Sequence, residues 1–397
     1  SPSLSRTISD GADMTKFTFS FWCKRSTLGG DQRIYSNENT TAKQIYIRFN
    51  NNNTFTVYHQ AGGSDVLSFD TNAVFRDVSA WYHFHFVMDS TQSTESNRFK
   101  MHVNGVQITD FNSPVYPSSN EAAAFLNTNE KSNIGFRDGA GGQHFDGYLT
   151  EIVLLQGVAE PYTSFGEFDE DSPTIWKPKD VSSLSRGTNG FYLDFEDSSS
   201  LGNDQGGSVN LTPSNLAATD QSTDTCTNNY ATMNPIAAQA GSNESSSVIT
   251  FTEGNLDLDA ISSETGIATI GVDTGKWYWE VKVLTDQDGL TIGGVNQHHH
   301  LDAELAYNSP SSPSSAKAFG YYGGNGNKVT TIGDGSQFSS YGDAIAVNDI
   351  IGVALNLDDD EVVFYKNGTA QNSGTAISLT ALGSGEQYFP AVGNWSA

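Results

Sequence analysis

The chain has 397 residues, enough to bury more than one core, and we expect two domains. Its 46 acidic and 20 basic residues give a formal net charge of −26, which argues against electrostatic binding to DNA, RNA or an anionic membrane. The abundance of Gly, Ser, Asn and Thr, an aromatic content of 11%, and the lack of sustained helical periodicity predict an all-β protein.

Covalent and targeting signals are sparse. Cys23 and Cys226 lie far apart and are predicted to be free thiols. The sequence contains no apolar run of about 18 residues, so no membrane insertion is predicted. Residue 1 is Ser and the sequence stops at 394–397, so we expect a processed or incompletely represented chain.

Residues 1–160 alternate apolar and polar side chains in short runs separated by Asn and Gly clusters, which predicts a β-sandwich. The Asn104-Gly105 pair predicts a hairpin turn, because a type I′ turn needs positive φ at both central residues. The predicted strands are residues 17–22, 44–49, 54–58, 81–88, 98–103, 134–136 and 145–155.

Four of these segments, residues 17–22, 80–84, 100–105 and 145–152, occur in an order that resembles the concanavalin A-like family of laminin G and pentraxin type. The resemblance covers residues 1–160 and implies a jelly-roll-like β-sandwich. In that family, an Asp-Gly turn such as Asp146-Gly147 precedes the strand that closes the core.

Residues 161–246 are rich in Pro, Ser and Asn and are predicted to form an extended connector, with one short strand near 190–195. Within it, residues 189–195 and 218–235 resemble segments that recur in structural and tail-fibre-like proteins of marine bacteriophages, between the same two kinds of domain. The resemblance implies a protein of the virion surface, in contact with other virion proteins and in many such cases a homotrimer.

Residues 247–397 predict a second sandwich, with strands at 248–251, 267–272, 277–284, 290–295, 318–322, 350–357 and 361–365. Trp277, Trp279, Val281 and Val283 share one side of their strand, which predicts a core face. Together with the hairpin at 350–368, this stretch resembles the SPRY domain, a recognition module. The long polar loop 297–317 is where we expect recognition to reside.

One acidic run is a candidate catalytic site. Residues 167–171, Glu-Phe-Asp-Glu-Asp, are similar to the Glu-x-Asp-x-x-Glu strand of laminarinase-type glycosidases, but the third carboxylate would fall at Ser172. A retaining glycosidase needs two carboxyl groups held about 5 Å apart, which a connector segment does not provide. The protein is therefore predicted not to be an enzyme.

Histidines that lie close together in the sequence are candidate metal ligands. For His298, His299 and His300 a surface loop is favoured, with a metal site only if three chains meet at an axis. His83 and His85 are predicted to be ordinary sheet residues with satisfied hydrogen bonds.

Calcium is a separate candidate, since laminin G and pentraxin relatives often hold Ca²⁺ with loop carboxylates. No cofactor is predicted to be required, but Asp138 and Asp146 flank a Gly-rich loop and are candidate Ca²⁺ ligands. Asp286 and Asp288 are weaker candidates, and residues 358–360 predict an acidic hairpin turn.

Four tyrosines are candidate glycan contacts, because an exposed phenol ring can stack on a sugar face. They are Tyr46, Tyr58, Tyr321 and Tyr322. The alternative for each is a place in a sandwich core.

These observations predict a non-enzymatic virion surface protein of a marine bacteriophage, a fibre, spike or capsid decoration that adheres to host-surface glycans. Multivalent display would let weak sites act with useful avidity. Two alternatives stay open: a depolymerase that cleaves surface polysaccharide, and a secreted cellular adhesin.

Overall fold

The computed structural model describes residues 2–8, 14–40, 43–122, 130–137, 142–207, 209–237, 249–259, 264–285, 289–299, 305, 315–332, 335–382 and 385–394. They form two compact units, Ser1–Tyr230 and Ala231–Ala397. Strands dominate both, so the all-β prediction is confirmed. Within the described ranges, no helix is long and apolar enough to cross a membrane. The short 3-10 helices are Glu95–Asn97, Tyr162–Ser164, Ala218–Asp220, Glu253–Asn255, Gln371–Gly374 and Thr380–Leu382.

The first unit is a sandwich of two antiparallel sheets. Its strands are β1 (Ser3–Thr7), β2 (Lys16–Arg25), β3 (Gln32–Thr40), β4 (Lys43–Phe49), β5 (Phe55–Ala61), β6 (Ser64–Thr71), β7 (Tyr82–Asp89), β8 (Phe99–Val103), β9 (Val106–Ile108), β10 (Phe111–Val115), β11 (Lys131–Ile134), β12 (Gly147–Gln156), β13 (Gly166–Phe168), β14 (Trp176–Pro178), β15 (Phe191–Leu193) and β16 (Thr212–Ser214). One sheet has eight strands in the order β10-β6-β5-β4-β3-β11-β1-β16. The other has six, in the order β15-β12-β2-β7-β8-β9, while β13 and β14 form a separate hairpin.

An aromatic core lies between these two sheets. Phe19 and Phe21 of β2 and Phe84 of β7 are 0% exposed, because period-2 alternation turns them all to the same side. The ring of Phe84 stacks on that of Phe55 from the opposite sheet, with centroids 4.2 Å apart. After β8, Asn104 has φ 47° and Gly105 has φ 76°, so the predicted hairpin turn is confirmed.

The outer face of the six-stranded sheet is also covered. Trp22, Trp81 and Trp176 form a buried cluster on it, and Val153 and Leu155 lie in a second buried cluster. The covering residues come from 158–230, part of which the sequence predicts to be connector. The strand predicted near 190–195 is present as β15, which pairs with β12. The domain boundaries at 160 and 246 stay a prediction, while the compact units divide between 230 and 231.

A buried ion pair between Lys24 of β2 and Asp224 holds the end of this covering segment on the sheet. The Lys24 ammonium donates to Asp224 Oδ2 at 2.8 Å, to Asn229 Oδ1 at 2.9 Å and to the Tyr230 carbonyl at 2.7 Å. The Trp81 indole nitrogen donates to Asp224 Oδ1 at 2.9 Å. The side chains of Lys24 and Asp224 are only 1% and 5% exposed, so two charges are buried in one compact, fully bonded group.

The second unit is a smaller sandwich. Its strands are β17 (Thr250–Thr252), β18 (Asp257–Asp259), β19 (Glu264–Ile267), β20 (Lys276–Lys282), β21 (Leu290–Asn296), β22 (Lys317–Tyr322), β23 (Asn327–Ile332), β24 (Gly335–Ser340), β25 (Ile350–Asn356), β26 (Glu361–Lys366), β27 (Thr369–Ala370), β28 (Ile377–Ser378) and β29 (Tyr388–Asn394). A six-stranded sheet has the order β19-β29-β21-β22-β23-β24. A five-stranded sheet runs β20-β25-β26-β27, with β28 also on β26, and β17 and β18 form a hairpin.

The core of this unit confirms the predicted alternation with one exception. Val353 and Leu355 of β25 and Phe364 of β26 are at most 1% exposed, and Val283 is 4% exposed. Trp277, predicted to share their side, is instead 47% exposed. It lies near the start of β20, which pairs only with β25 in the described sheet, so no further strand covers the ring.

Removing one charge of the buried pair should destabilise the first unit. In Lys24→Met, Asp224 stays buried without its ammonium, so we expect the free energy of unfolding to fall by about 3–5 kcal/mol. Urea unfolding followed by Trp fluorescence measures this. The double variant Lys24→Met with Asp224→Asn should recover much of the loss, and a single variant that loses less than about 1 kcal/mol would contradict the assignment.

Candidate functional site

The four predicted tyrosines fall in three different environments. Tyr321 is 0% exposed, stacks on Phe364 with ring centroids 5.4 Å apart, and donates its hydroxyl to the Asp343 carbonyl. A ring without exposed surface cannot meet a sugar, so the glycan prediction for Tyr321 is wrong. Tyr322, on the other side of the same strand, is half-buried and packs edge-on against Phe338 at 6.0 Å; its glycan role stays a prediction.

Tyr46 and Tyr58 are brought together on the outer face of the eight-stranded sheet. They lie directly opposite each other on β4 and β5. The neighbouring Ile45, Ile47 and Val57 point into the core, so alternation turns the two tyrosines outward. Their rings stack with centroids 4.8 Å apart at 26°. We call this pair the tyrosine platform.

Two arginines, Arg33 on the neighbouring strand β3 and Arg48 on β4 itself, contact the platform. The Arg33 guanidinium lies 3.8 Å from the centre of the Tyr46 ring, and that of Arg48 lies 5.1 Å away. Arg48 is in turn held by Asp31 at 2.7 Å. With Tyr58 stacked on it and guanidinium groups over it, Tyr46 serves as the support of the platform rather than as its open ring.

Tyr58 is the outer ring of the platform. Its hydroxyl donates to Asp65 Oδ1 at 2.5 Å, and burial together with this carboxylate raises the pKa of Tyr58. Ser68 lies directly opposite on β6, and its small side chain leaves room beside the Tyr58 ring. The surface combines an aromatic ring, a carboxylate and a hydroxyl. The sequence identified both tyrosines as candidates but not their pairing, and Arg33 and Asp65 were missed because their positions depend on the fold.

The outer face beside the platform is polar and internally bonded. Asp70 Oδ1 accepts hydrogen bonds from Asn50 Nδ2 at 3.0 Å, Thr54 Oγ1 at 2.9 Å and Thr56 Oγ1 at 3.1 Å. These bonds order the side chains around one end of the sheet. Asn50, Thr54 and Thr56 are only 7–8% exposed, so this network stabilises the end of the sheet next to the platform, and the groups open to a ligand are those around Tyr58.

Family models agree with both units. Residues 6–161 match the model of the concanavalin A-like lectin/glucanases superfamily, and residues 276–396 match that of the SPRY domain. The protein carries a concanavalin A-like domain followed by a SPRY domain. The tyrosine platform lies in the concanavalin A-like domain, and Tyr321 and Tyr322 lie in the SPRY domain.

Individual proteins resemble single parts of the chain. The ATP-dependent RNA helicase Ddx1 of Drosophila melanogaster is 36% identical over 126 residues, which are 32% of this chain and only 15% of the helicase. A heptameric SAP-like pentraxin from Limulus polyphemus is 15% identical, with 40% of this chain and 71% of that one covered at a TM-score of 0.29. The SPRY domain of human HERC1 is 18% identical, with 42% and 91% covered at a TM-score of 0.28. At these scores the structural likenesses assign no function.

The acidic run of the concanavalin A-like unit is bound by lysines. Glu167 lies 3.3 Å from the Lys179 ammonium, and Asp169 lies 3.3 Å from that of Lys177. Both carboxylates belong to or adjoin the small β13–β14 hairpin, outside the two main sheets. They form a paired surface strip, which differs from two carboxyl groups facing each other across a sugar.

The metal predictions are only partly covered by the structure. Within the described ranges, no group of three or more His, Cys, Asp or Glu side chains could hold an ion. Asp146 is exposed, and its carbonyl accepts a hydrogen bond from Ser26 N at 3.0 Å. Of the histidine triplet, the imidazole of His298 lies 3.9 Å from Glu386 and His299 is 7% exposed. Outside the described residues lie Asp138, Asp286, Asp288, His300 and most of the loop 297–317.

His83 and His85 are satisfied sheet residues, as predicted. The Trp176 indole donates to His83 Nδ1 at 3.0 Å, so the proton of His83 is on Nε2, which donates to Ser20 Oγ at 2.8 Å. His85 Nε2 donates to the Glu160 carbonyl at 3.0 Å. Burial lowers the pKa of His85 to about 3, and it lowers that of nearby His102 to about 4. These rings stay neutral.

Glu151 is a partly buried carboxyl that the sequence did not reveal. It sits in a β-bulge of β12 with φ 52°, facing the segment that covers the sheet. The Tyr192 hydroxyl donates to it at 2.6 Å. Burial outweighs this hydrogen bond and raises the pKa of Glu151 from 4.5 to about 7.

Acid should destabilise the first unit through its neutral histidines. Below about pH 6.5 these histidines become protonated in the unfolded chain, whereas in the folded protein they stay neutral. The free energy of unfolding therefore falls by up to about 1.4 kcal/mol per pH unit for each histidine. Urea unfolding at several pH values between 4 and 7 measures the slope. His102→Gln should reduce it, and an unchanged slope in that variant would argue against the neutral ring.

Glu151 should act in the opposite direction. Its folded pKa is raised, so its stabilising contribution is complete below about pH 4.5 and is lost as the pH rises through about 7. We expect Glu151→Gln to gain about 1–3 kcal/mol relative to wild type between pH 5 and pH 8, measured by urea unfolding. A difference between the two proteins that does not change with pH would show that the carboxyl is ionised throughout.

Proposed function

We propose that the protein is a non-enzymatic surface protein of a bacteriophage particle, a fibre, spike or capsid decoration, which adheres to glycans on the host surface. The observation that carries the glycan part is the tyrosine platform on the outer face of a concanavalin A-like domain. A sugar ring would place its apolar face against Tyr58, and its hydroxyl groups would meet Asp65 and Ser68.

The virion part rests on the resemblance of residues 189–195 and 218–235 to segments of marine bacteriophage proteins. It implies other virion proteins as partners, a location on the outside of the particle, and a homotrimer. Repeated copies would raise the avidity of a weak single platform. Calcium bound by Asp146 and Asp138 belongs to the same proposal, as a support for loops of the concanavalin A-like domain.

Depolymerisation is the rival function. It is disfavoured because Glu167 and Asp169 are neutralised by Lys177 and Lys179, whereas a glycosidase keeps one carboxyl protonated and one charged across its substrate. A secreted cellular adhesin would use the same platform, and its presence on cells rather than particles would distinguish it.

The platform is tested by Tyr58→Ala in the full chain. Glycans first selected on an array with the intact assembly are measured in solution, one site at a time, by calorimetry. We expect binding to weaken by about tenfold, the loss of one good aromatic contact. Tyr278→Ala, which removes an exposed tyrosine of the SPRY domain, should bind as tightly as wild type and serves as the matched control.

Other outcomes decide between the rival functions. Shortening of the polysaccharide during incubation would establish a depolymerase. Equal binding by wild type and Tyr58→Ala would place the glycan elsewhere. Adding a chelator tests Ca²⁺, and light scattering of the purified protein tests the trimer. Antibody labelling of intact particles tests the virion location. Antibody signal on cells but none on particles would contradict that location.

A further inference from the structure

The outer face of the five-stranded sheet in the second unit contains a trough of about 380 Å³. This volume is within the range of small-ligand sites, about 300–1,000 Å³. Three rows of residues cross this face from β20 over β25 to β26; the first two rows and Tyr365 of the third line the trough. The rows are Lys276, Asn356 and Glu361; Tyr278, Ala354 and Val363; and Glu280, Gly352 and Tyr365.

The trough exists because its central strand has small residues. Gly352 and Ala354 lie between the taller Tyr278 and Tyr365, whose ring centroids are 6.3 Å apart at 79°. A Cβ on Gly352 would stand 2.3 Å from the Tyr278 hydroxyl, so the tyrosine occupies the space above the glycine. Val363 and Ala354 form an apolar floor, and Tyr278 is 56% exposed at the wall.

Two of the hydrogen-bond donors in the trough, the Asn356 amide and the Tyr278 hydroxyl, are already used. Asn356 Nδ2 donates to Asp359 Oδ2 at 2.7 Å and to Glu361 Oε1 at 3.3 Å. The Tyr278 hydroxyl donates to Glu280 Oε1 at 2.7 Å. These bonds use the amide and phenol protons and position three carboxylates, those of Asp359, Glu361 and Glu280, around the aromatic walls. Apart from the Lys276 ammonium and the Tyr365 hydroxyl, the trough therefore presents acceptors and π faces to a ligand.

The net charge around one end of the trough is negative, which also favours a cationic ligand. The turn from Asp358 to Glu361 places four carboxylates at one end. The nearest cation, Lys276, lies 3.9 Å from Asp359 and is 67% exposed, so it neutralises the group only weakly. Glu280 lies on the far side of Tyr278, next to exposed Lys282. The end bounded by the turn is net acidic.

We propose that this trough binds the side chain of a lysine or arginine in an extended segment of a partner protein. The methylene stem would lie on Ala354 and Val363, and the cation would meet the tyrosine faces and the carboxylates. A neutral saccharide fits less well, because its hydroxyl groups need donors as well as acceptors. This site is independent of the proposed glycan platform.

The proposal is tested with the full chain and a blocked peptide that alternates lysine and serine. Fluorescence anisotropy compares it with the same peptide after acetylation of every lysine, which removes the charge and keeps the stem. We expect acetylation to weaken binding by at least about tenfold, and Tyr278→Ala and Glu361→Gln to weaken it about three- to tenfold each.

The variants separate a built site from general attraction to an acidic protein. Tyr278→Ala keeps the net charge of −26, so attraction by charge alone would leave its binding unchanged and overturn the proposal. Equal binding of the acetylated peptide would also overturn it, as would displacement of the peptide from the trough by a neutral glycan. Tyr58→Ala should bind the peptide normally, so failure of the glycan platform and failure of this site give different results.

Discussion

The buried pair of Lys24 and Asp224 is the contact on which the arrangement of the first unit depends. It joins residues 200 positions apart and brings Asn229 and the Tyr230 carbonyl onto the same ammonium. A charge of this kind is tolerated in the interior only when every strong hydrogen bond is made. The pair thus fixes 224–230 on the outer face of the six-stranded sheet, beside the tryptophan cluster of that face.

This covering decides which surface of the sandwich can meet a ligand. The six-stranded sheet is covered on both faces, so buried His83 and His85, together with partly buried Glu151, affect stability rather than binding. The outer face of the eight-stranded sheet carries the tyrosine platform and its polar surroundings. Within the first unit, the place of the proposed glycan site follows from which face residues 158–230 cover.

The two domains offer different chemistry to their ligands. In the first, a supported phenol ring stands beside groups that can bond hydroxyls. In the second, the Asn356 amide and the Tyr278 hydroxyl already donate to neighbouring carboxylates, and the aromatic walls around Gly352 and Ala354 suit the proposed cation. A protein with both sites could hold two kinds of partner at once, and repeated copies would multiply the effect of each weak contact.

Period-2 alternation and turn chemistry were enough to predict the central strands of both sandwiches, such as β2, β7 and β25, the Asn104-Gly105 hairpin and the satisfied sheet positions of His83 and His85. They missed other strands, among them β3, β6 and β29. They could not tell Tyr321 from Tyr322, the burial of Lys24 or the exposure of Trp277. Alternation states which residues share a face, whereas burial depends on what covers that face. The cover is supplied by distant residues such as Asp224 or by a neighbouring strand, and only the tertiary structure decides it.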